Sequence, residues 1–251
     1  ATPAPVAALI ARVLAGALIY MHELCDERGE LLGLVHRDIS PHNVMITRDG
    51  GVRLLDFGIA KSRDRLAKTA HGVVKGKLSY MSPERLLGEE ASPSCDAWSL
   101  GVVLWEMLAM RPLFANADAS EVVRSIVSEE RPKVREVRRS IPSALALIVD
   151  RMITRRIEDR LTDLNEAHAR LSALLDPVAE EAAQSALSTW VEATDPRARP
   201  PTAKLDADTT DAVTVVTAPP TITRTDLDVT ATMQRSVAPE ESVEDDDDER
   251  D

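Results

Sequence analysis

Asp38, Asn43 and Asp56 are three oxygen-bearing side chains set within one short stretch of this sequence. They sit in two strings, His36-Arg37-Asp38-Ile39-Ser40-Pro41-His42-Asn43 and Asp56-Phe57-Gly58. A carboxylate such as Asp38 can take the proton of an attacking hydroxyl. The amide oxygen of Asn43 and the carboxylate of Asp56 are hard donors of the kind magnesium prefers. Together they suit in-line phosphoryl transfer, which needs an oriented acceptor hydroxyl and neutralised phosphate charge. Gly58 lets the backbone turn sharply, so that the Asp56 carboxylate can face a cleft.

The elements that must position these groups can be read from periodicity. Val6, Leu9, Ile10, Val13, Leu14, Ala17, Leu18 and Met21 repeat at helical spacing, which predicts a helix over Val6–Leu24. Val44-Met45-Ile46 and Val52-Arg53-Leu54-Leu55 flank the turn residues Arg48-Asp49-Gly50-Gly51 and predict a β-hairpin between the two strings. Residues 59–81 lack periodicity and read as a long loop. Ser94–Met110 is apolar nearly all round, the pattern of a buried helix. Asp118–Ser128, Pro142–Thr154 and Asp163–Leu175 read as amphipathic helices. Pro142 suits a first helical turn, and Thr162 or Asp163 suits a cap.

Composition bounds the rest. The chain has 251 residues, 44% of them hydrophobic but only 3% aromatic, and a formal charge of −12. Residues 193–251 hold 15 acidic and 6 basic side chains, so the body is nearly neutral and nothing in its charge points to nucleic acid. This terminal stretch is rich in threonine, proline and aspartate and is expected to be a disordered tail. Residues 177–192 are expected to form a helical extension before it. Cys25 and Cys95 belong to no paired motif and read as reduced thiols of a cytoplasmic protein. Val6–Met21 and Trp98–Met110 are the longest apolar runs, both short of a bilayer span, and no membrane segment is expected.

The two strings resemble the catalytic loop and the metal-binding loop of eukaryotic-type serine/threonine protein kinases, most nearly the bacterial branch. Ser82-Pro83-Glu84 is similar to the family's Ala-Pro-Glu, and Asp96-Ala97-Trp98-Ser99-Leu100-Gly101 to the start of its central helix. The resemblance spans about residues 6–175, the family's large lobe. It implies a mostly α fold, part of an α+β kinase fold, with a small β-ribbon at the cleft, and a kinase domain over residues 1–176. It implies ATP and magnesium as cofactors and protein serine or threonine hydroxyls as acceptors. Asp38 becomes the base, Asn43 and Asp56 the metal ligands, and Phe57 and Gly58 their neighbours at the nucleotide. His36, Glu84, Asp96 and Arg160 become internal supports. Asp96 is expected to receive backbone hydrogen bonds from the catalytic loop, and Glu84 to pair with Arg160.

Other family parts are not matched. The sequence contains no Gly-x-Gly-x-x-Gly loop, and no strand lysine with its glutamate partner is identified. The small lobe is therefore expected to be absent, leaving half a nucleotide site. A second reading follows, an inactive kinase remnant that serves as a binding scaffold. Inside the matched region, Ser40 stands where the family has lysine, and Lys77 where it has threonine. This exchange suggests that the Lys77 ammonium enters from the docking loop to meet Ser40 and the transferred phosphate. Arg37, before the base, marks in the family kinases that loop phosphorylation switches on. Thr69, in a loop rich in lysine and arginine, is the candidate phosphosite, and the loop or the tail is a candidate for autophosphorylation.

Overall fold

The computed structural model describes residues 2–56, 75–115 and 118–194, all within one compact unit of residues 1–200. Phe57, Gly58, Thr69 and the tail from residue 195 lie outside the described residues. Nine helices and one two-stranded ribbon are described: α1 (Ala4–His22), β1 (Val44–Ile46), β2 (Val52–Leu54), α2 (Lys75–Leu78), α3 (Pro83–Leu86), α4 (Pro93–Ala109), α5 (Ala119–Ser128), α6 (Val134–Val137), α7 (Ser143–Met152), α8 (Leu164–Ser172) and α9 (Pro177–Thr194). The fold is thus mostly helical with a small β-ribbon.

Helix α4 is the axis of the core. Trp98, Leu100, Val102, Leu104, Trp105 and Leu108 are all buried along it. Removing such side chains from water supplies roughly 1.5–3 kcal/mol each. Gly101 lets α7 approach, because a Cβ there would lie 2.7 Å from the Cβ of Met152 and 3.1 Å from a methyl of Ile153. Met110 ends the helix in the left-handed region, φ 57°. Helix α1 packs against α4, α8 and α9, with Ala7, Ala11, Leu14, Ala15 and Leu18 wholly buried.

Several expected boundaries move. Helix α1 begins at Ala4, because Pro5 suits the first turn, and it runs 19 residues. By length and composition it is sufficient to cross a bilayer, contrary to the shorter run expected from sequence, but its apolar side chains form part of the core. Pro142 sits at the N-cap of α7, one residue before the helix. Asp163, not Thr162, caps α8 by accepting the Asn165 N–H. Asp118 caps α5 in the same way through Ser120. The expected loop over residues 59–81 contains the short helix α2.

In the ribbon, Val44 pairs with Leu54 and Ile46 with Val52. The Thr47 N–H donates to the Gly51 carbonyl at 2.8 Å, and Gly50 takes φ +80° to close the turn. This register returns the chain so that Leu55 donates its N–H to the Asn43 carbonyl at 2.8 Å. Asn43 and Asp56 therefore emerge at the same end of the ribbon.

The close approach at Gly101 gives a direct test. Gly101→Val should destabilise the protein by about 1–3 kcal/mol through overpacking against α7. Urea denaturation followed by circular dichroism measures it.

Candidate active site

The loop between α1 and β1 is fixed from below by one buried carboxylate. Asp96, in the first turn of α4, is 1% exposed. Its Oδ2 accepts the His36 N–H at 2.8 Å, and its Oδ1 accepts the Arg37 N–H at 2.9 Å. Arg37 takes φ 66° there, a conformation costly for a residue with a Cβ and held by the surrounding bonds. His36 is fully buried, and its Nε2 lies 3.2 Å from the Leu55 carbonyl, which joins the loop to the end of β2. Ile39 is buried beneath the loop, and Pro41–Asn43 turn as a short 3-10 helix.

The polar residues follow along the loop and at the end of the ribbon. The Asn43 amide nitrogen donates to the Asp38 carbonyl at 2.6 Å, which orients the amide and leaves its oxygen as an acceptor. Asp56, at the end of β2, is exposed and takes φ 54°. Asp38 is partly exposed, and its Oδ2 is paired with the Lys77 ammonium. Lys77 thus reaches Asp38 from α2. Ser40 is buried, and its carbonyl accepts the Asn43 N–H at 3.0 Å.

A second set of contacts fixes the segment that carries Lys77. The Arg160 guanidinium grips Glu84 with two parallel hydrogen bonds, at 2.8 and 3.0 Å. It also donates to the Thr154 and Arg155 carbonyls and lies 4.8 Å above the Trp98 ring. The buried Cys95 thiol points at the same carboxylate, Sγ to Oε1 3.7 Å. Burial pushes the Glu84 carboxyl up, but the hydrogen bonds and charge of Arg160 prevail and hold it below its usual 4.5.

Other residues in this framework carry no motif. His22, at the end of α1, places its Nε2 2.8 Å from Asp96 Oδ2. Tyr80 donates its hydroxyl to Glu106 at 2.8 Å, while Ser99 donates to the Tyr80 carbonyl at 2.7 Å. Burial raises the Tyr80 phenol above its usual range. A histidine closing an apolar helix is the one sequence signal that marks His22. Nothing local marks Tyr80 or Glu106.

A helical body around a buried central helix, with an aspartate-anchored loop beside a short ribbon, is the large-lobe arrangement of a phosphotransferase. The match to known proteins makes it specific: residues 2–173 fit the protein kinase domain family, and the chain belongs to that family. It is 39% identical over 158 residues to the tyrosine-protein kinase MasK of Myxococcus xanthus, covering 63% of this chain and 24% of that protein. A probable serine/threonine-protein kinase, pknA2 of Bifidobacterium longum, is 32% identical over 158 residues, 63% of this chain and 20% of the relative. The serine/threonine-protein kinase PknA of Mycobacterium tuberculosis is 44% identical over 100 residues, 40% of this chain and 23% of the relative. The chain spans a quarter or less of the length of these relatives.

The Glu84–Arg160 pair makes stability depend on pH. Its folded carboxyl titrates below the unfolded one, so its contribution is complete above about pH 4.5 and is lost as pH falls through the folded value. Glu84→Ala should cost about 3–5 kcal/mol at pH 7, because it leaves a buried guanidinium without its counter-charge. Urea midpoints at pH 7 and pH 4 should fall less on acidification in Glu84→Gln than in the unsubstituted protein.

Proposed function

We propose that this chain is the large-lobe part of a serine/threonine protein kinase that transfers the ATP γ-phosphoryl group to protein hydroxyls. The observation that carries the reading is the Lys77 ammonium on the Asp38 carboxylate. It joins a hydroxyl-orienting carboxylate to a cation, on the residue whose main-chain carbonyl accepts the Asn43 amide. On this reading residues 1–176 are the kinase large lobe, 177–192 a helical extension and 193–251 an acidic tail.

The donor set fits magnesium. Asn43 commits its nitrogen to the Asp38 carbonyl and offers oxygen, while Asp56 offers a carboxylate at the same end of the ribbon. These two would hold the metal, with Phe57 and Gly58 next in sequence at the nucleotide. Magnesium and ATP would supply the phosphoryl group and the neutralisation of its charge. Asp38 orients the acceptor hydroxyl and takes its proton. Lys77 fills the place left by Ser40: its ammonium holds the Asp38 carboxylate in place and supplies the positive charge that the catalytic loop lacks. Asp96 and His36 keep the loop backbone in position, and Glu84 and Arg160 keep the Lys77 segment in position.

Two relatives named as serine/threonine kinases support that acceptor class, as does the lack of Ala-Ala-Arg after Asp38. The relative named as a tyrosine kinase makes phosphoamino-acid analysis the deciding measurement. Thr69 and the tail threonines are acceptors available in the same chain. The unpaired thiols of Cys25 and Cys95 support a cytoplasmic location.

In the full-length protein, Lys77→Thr should lower kcat by about a hundredfold, the scale expected for loss of one charge-stabilising group. The double variant Ser40→Lys with Lys77→Thr should recover much of it. Unchanged turnover in Lys77→Thr would refute the assigned role, and a full-length protein without transfer would favour the scaffold reading.

A further inference from the structure

Helix α9 begins at Pro177, beyond the residues matched by the kinase family, yet it is attached to the ribbon that carries Asn43 and Asp56. Ser188 donates its hydroxyl to the Arg48 carbonyl at 2.6 Å. Gln184 donates its amide to the Asp49 carbonyl at 3.4 Å. Gly50, between them and the strand, is buried under the helix. A Cβ there would lie 2.3 Å from the Gln184 carbonyl oxygen and 3.1 Å from its Cγ. Ala183 and Leu187 are buried on the same face of α9, and Glu180 pairs with Arg12 of α1. The helix therefore joins the rigid α1 framework to the turn of the hairpin.

The ribbon packs on α1 through β2, with Val52 buried, and α9 supports its turn. It has three residue pairs, and a two-stranded ribbon is marginal in water without packing. Its turn is held by α9, and its open end carries the two residues read above as metal ligands. Tilt or register slip at the turn is transmitted along three pairs to Asn43 and Asp56. We propose that Ser188 and Gln184 are positioning residues for magnesium, acting through the Arg48–Gly51 turn. The proposal rests on the kinase reading, and it adds a segment outside the family's domain to the metal site's support.

The test uses the full-length protein with Ser188→Ala, Gln184→Ala and the double variant. Alanine has the higher helix propensity at both positions, so weaker docking cannot be ascribed to a weakened helix. Three quantities are read: amide exchange over residues 47–51, manganese affinity with ADP present by electron paramagnetic resonance, and the magnesium dependence of transfer. In the double variant, exchange at the turn should accelerate and the half-saturating metal concentration should rise by about threefold or more, the scale of one or two lost hydrogen bonds. Turnover at saturating magnesium should stay within about twofold, since the bonds act through metal affinity rather than the chemical step. A general loss of folded protein would instead lower turnover and leave the metal constant unchanged. Ser188→Thr, which keeps the hydroxyl, should restore both readouts. An unchanged metal constant in the double variant overturns the proposal. Manganese binding without transfer overturns the catalytic reading alone, and the affinity ratio still decides the role of α9. Absence of metal binding overturns both.

Discussion

The carboxylate of Asp96 is the point at which the helical core meets the polar loop. It is buried in the first turn of α4, and its oxygens accept two backbone N–H groups of the loop and face the His22 ring. Burying an unpaired charge is prohibitive, so this carboxylate requires several donors at once. Those donors come from α1 and from the loop that follows it. Its place at a helix N-terminus adds the favourable end of the helix dipole. The core residues of α4 decide where Asp96 lies, and Asp96 decides where His36 and Arg37 lie. The left-handed torsion at Arg37 then sets the direction in which Asp38 leaves the backbone.

A second line of support reaches the Asp38 carboxylate from the other side. Arg160 holds Glu84, and Tyr80 is held by Ser99 and Glu106 of α4. Between them the segment that carries Lys77 is fixed to the same central helix as Asp96. The Lys77–Asp38 pair therefore closes a ring of contacts that starts and ends on α4. A lysine in the loop would act from one side only, whereas Lys77 ties the chain segment of the docking region to the loop itself.

Much of this was legible in the sequence because it is written in local pattern. The long α1 and α4 follow apolar periodicity, and the hairpin follows β-type runs around Arg48–Gly51. The expected places of Asp96 and of Glu84 with Arg160 follow from family resemblance, not from periodicity. What was not legible is long-range. His22 lies 74 positions from Asp96, and no spacing rule links them. The docking of α9 rests on a serine, a glutamine and a glycine, none of which has a pattern of its own. Helix α2 is too short to leave a period. Pro142 sits one residue before its helix rather than in the first turn, a difference that local pattern does not mark because proline suits both places. Phe57, Gly58 and Thr69 lie outside the described residues, as does the tail from residue 195.

The two thiols of the chain have unequal access. Cys25 lies at the surface, while Cys95 is buried with its sulfur against the Glu84 carboxylate. A reagent that modifies Cys25 meets no barrier. One that reaches Cys95 must pass the residues that bury it, Glu84 and Ser92 among them, so the rate of its labelling reads how often this part of the structure opens. The protein thus carries, in its own sequence, a chemical clock for breathing at the start of α4.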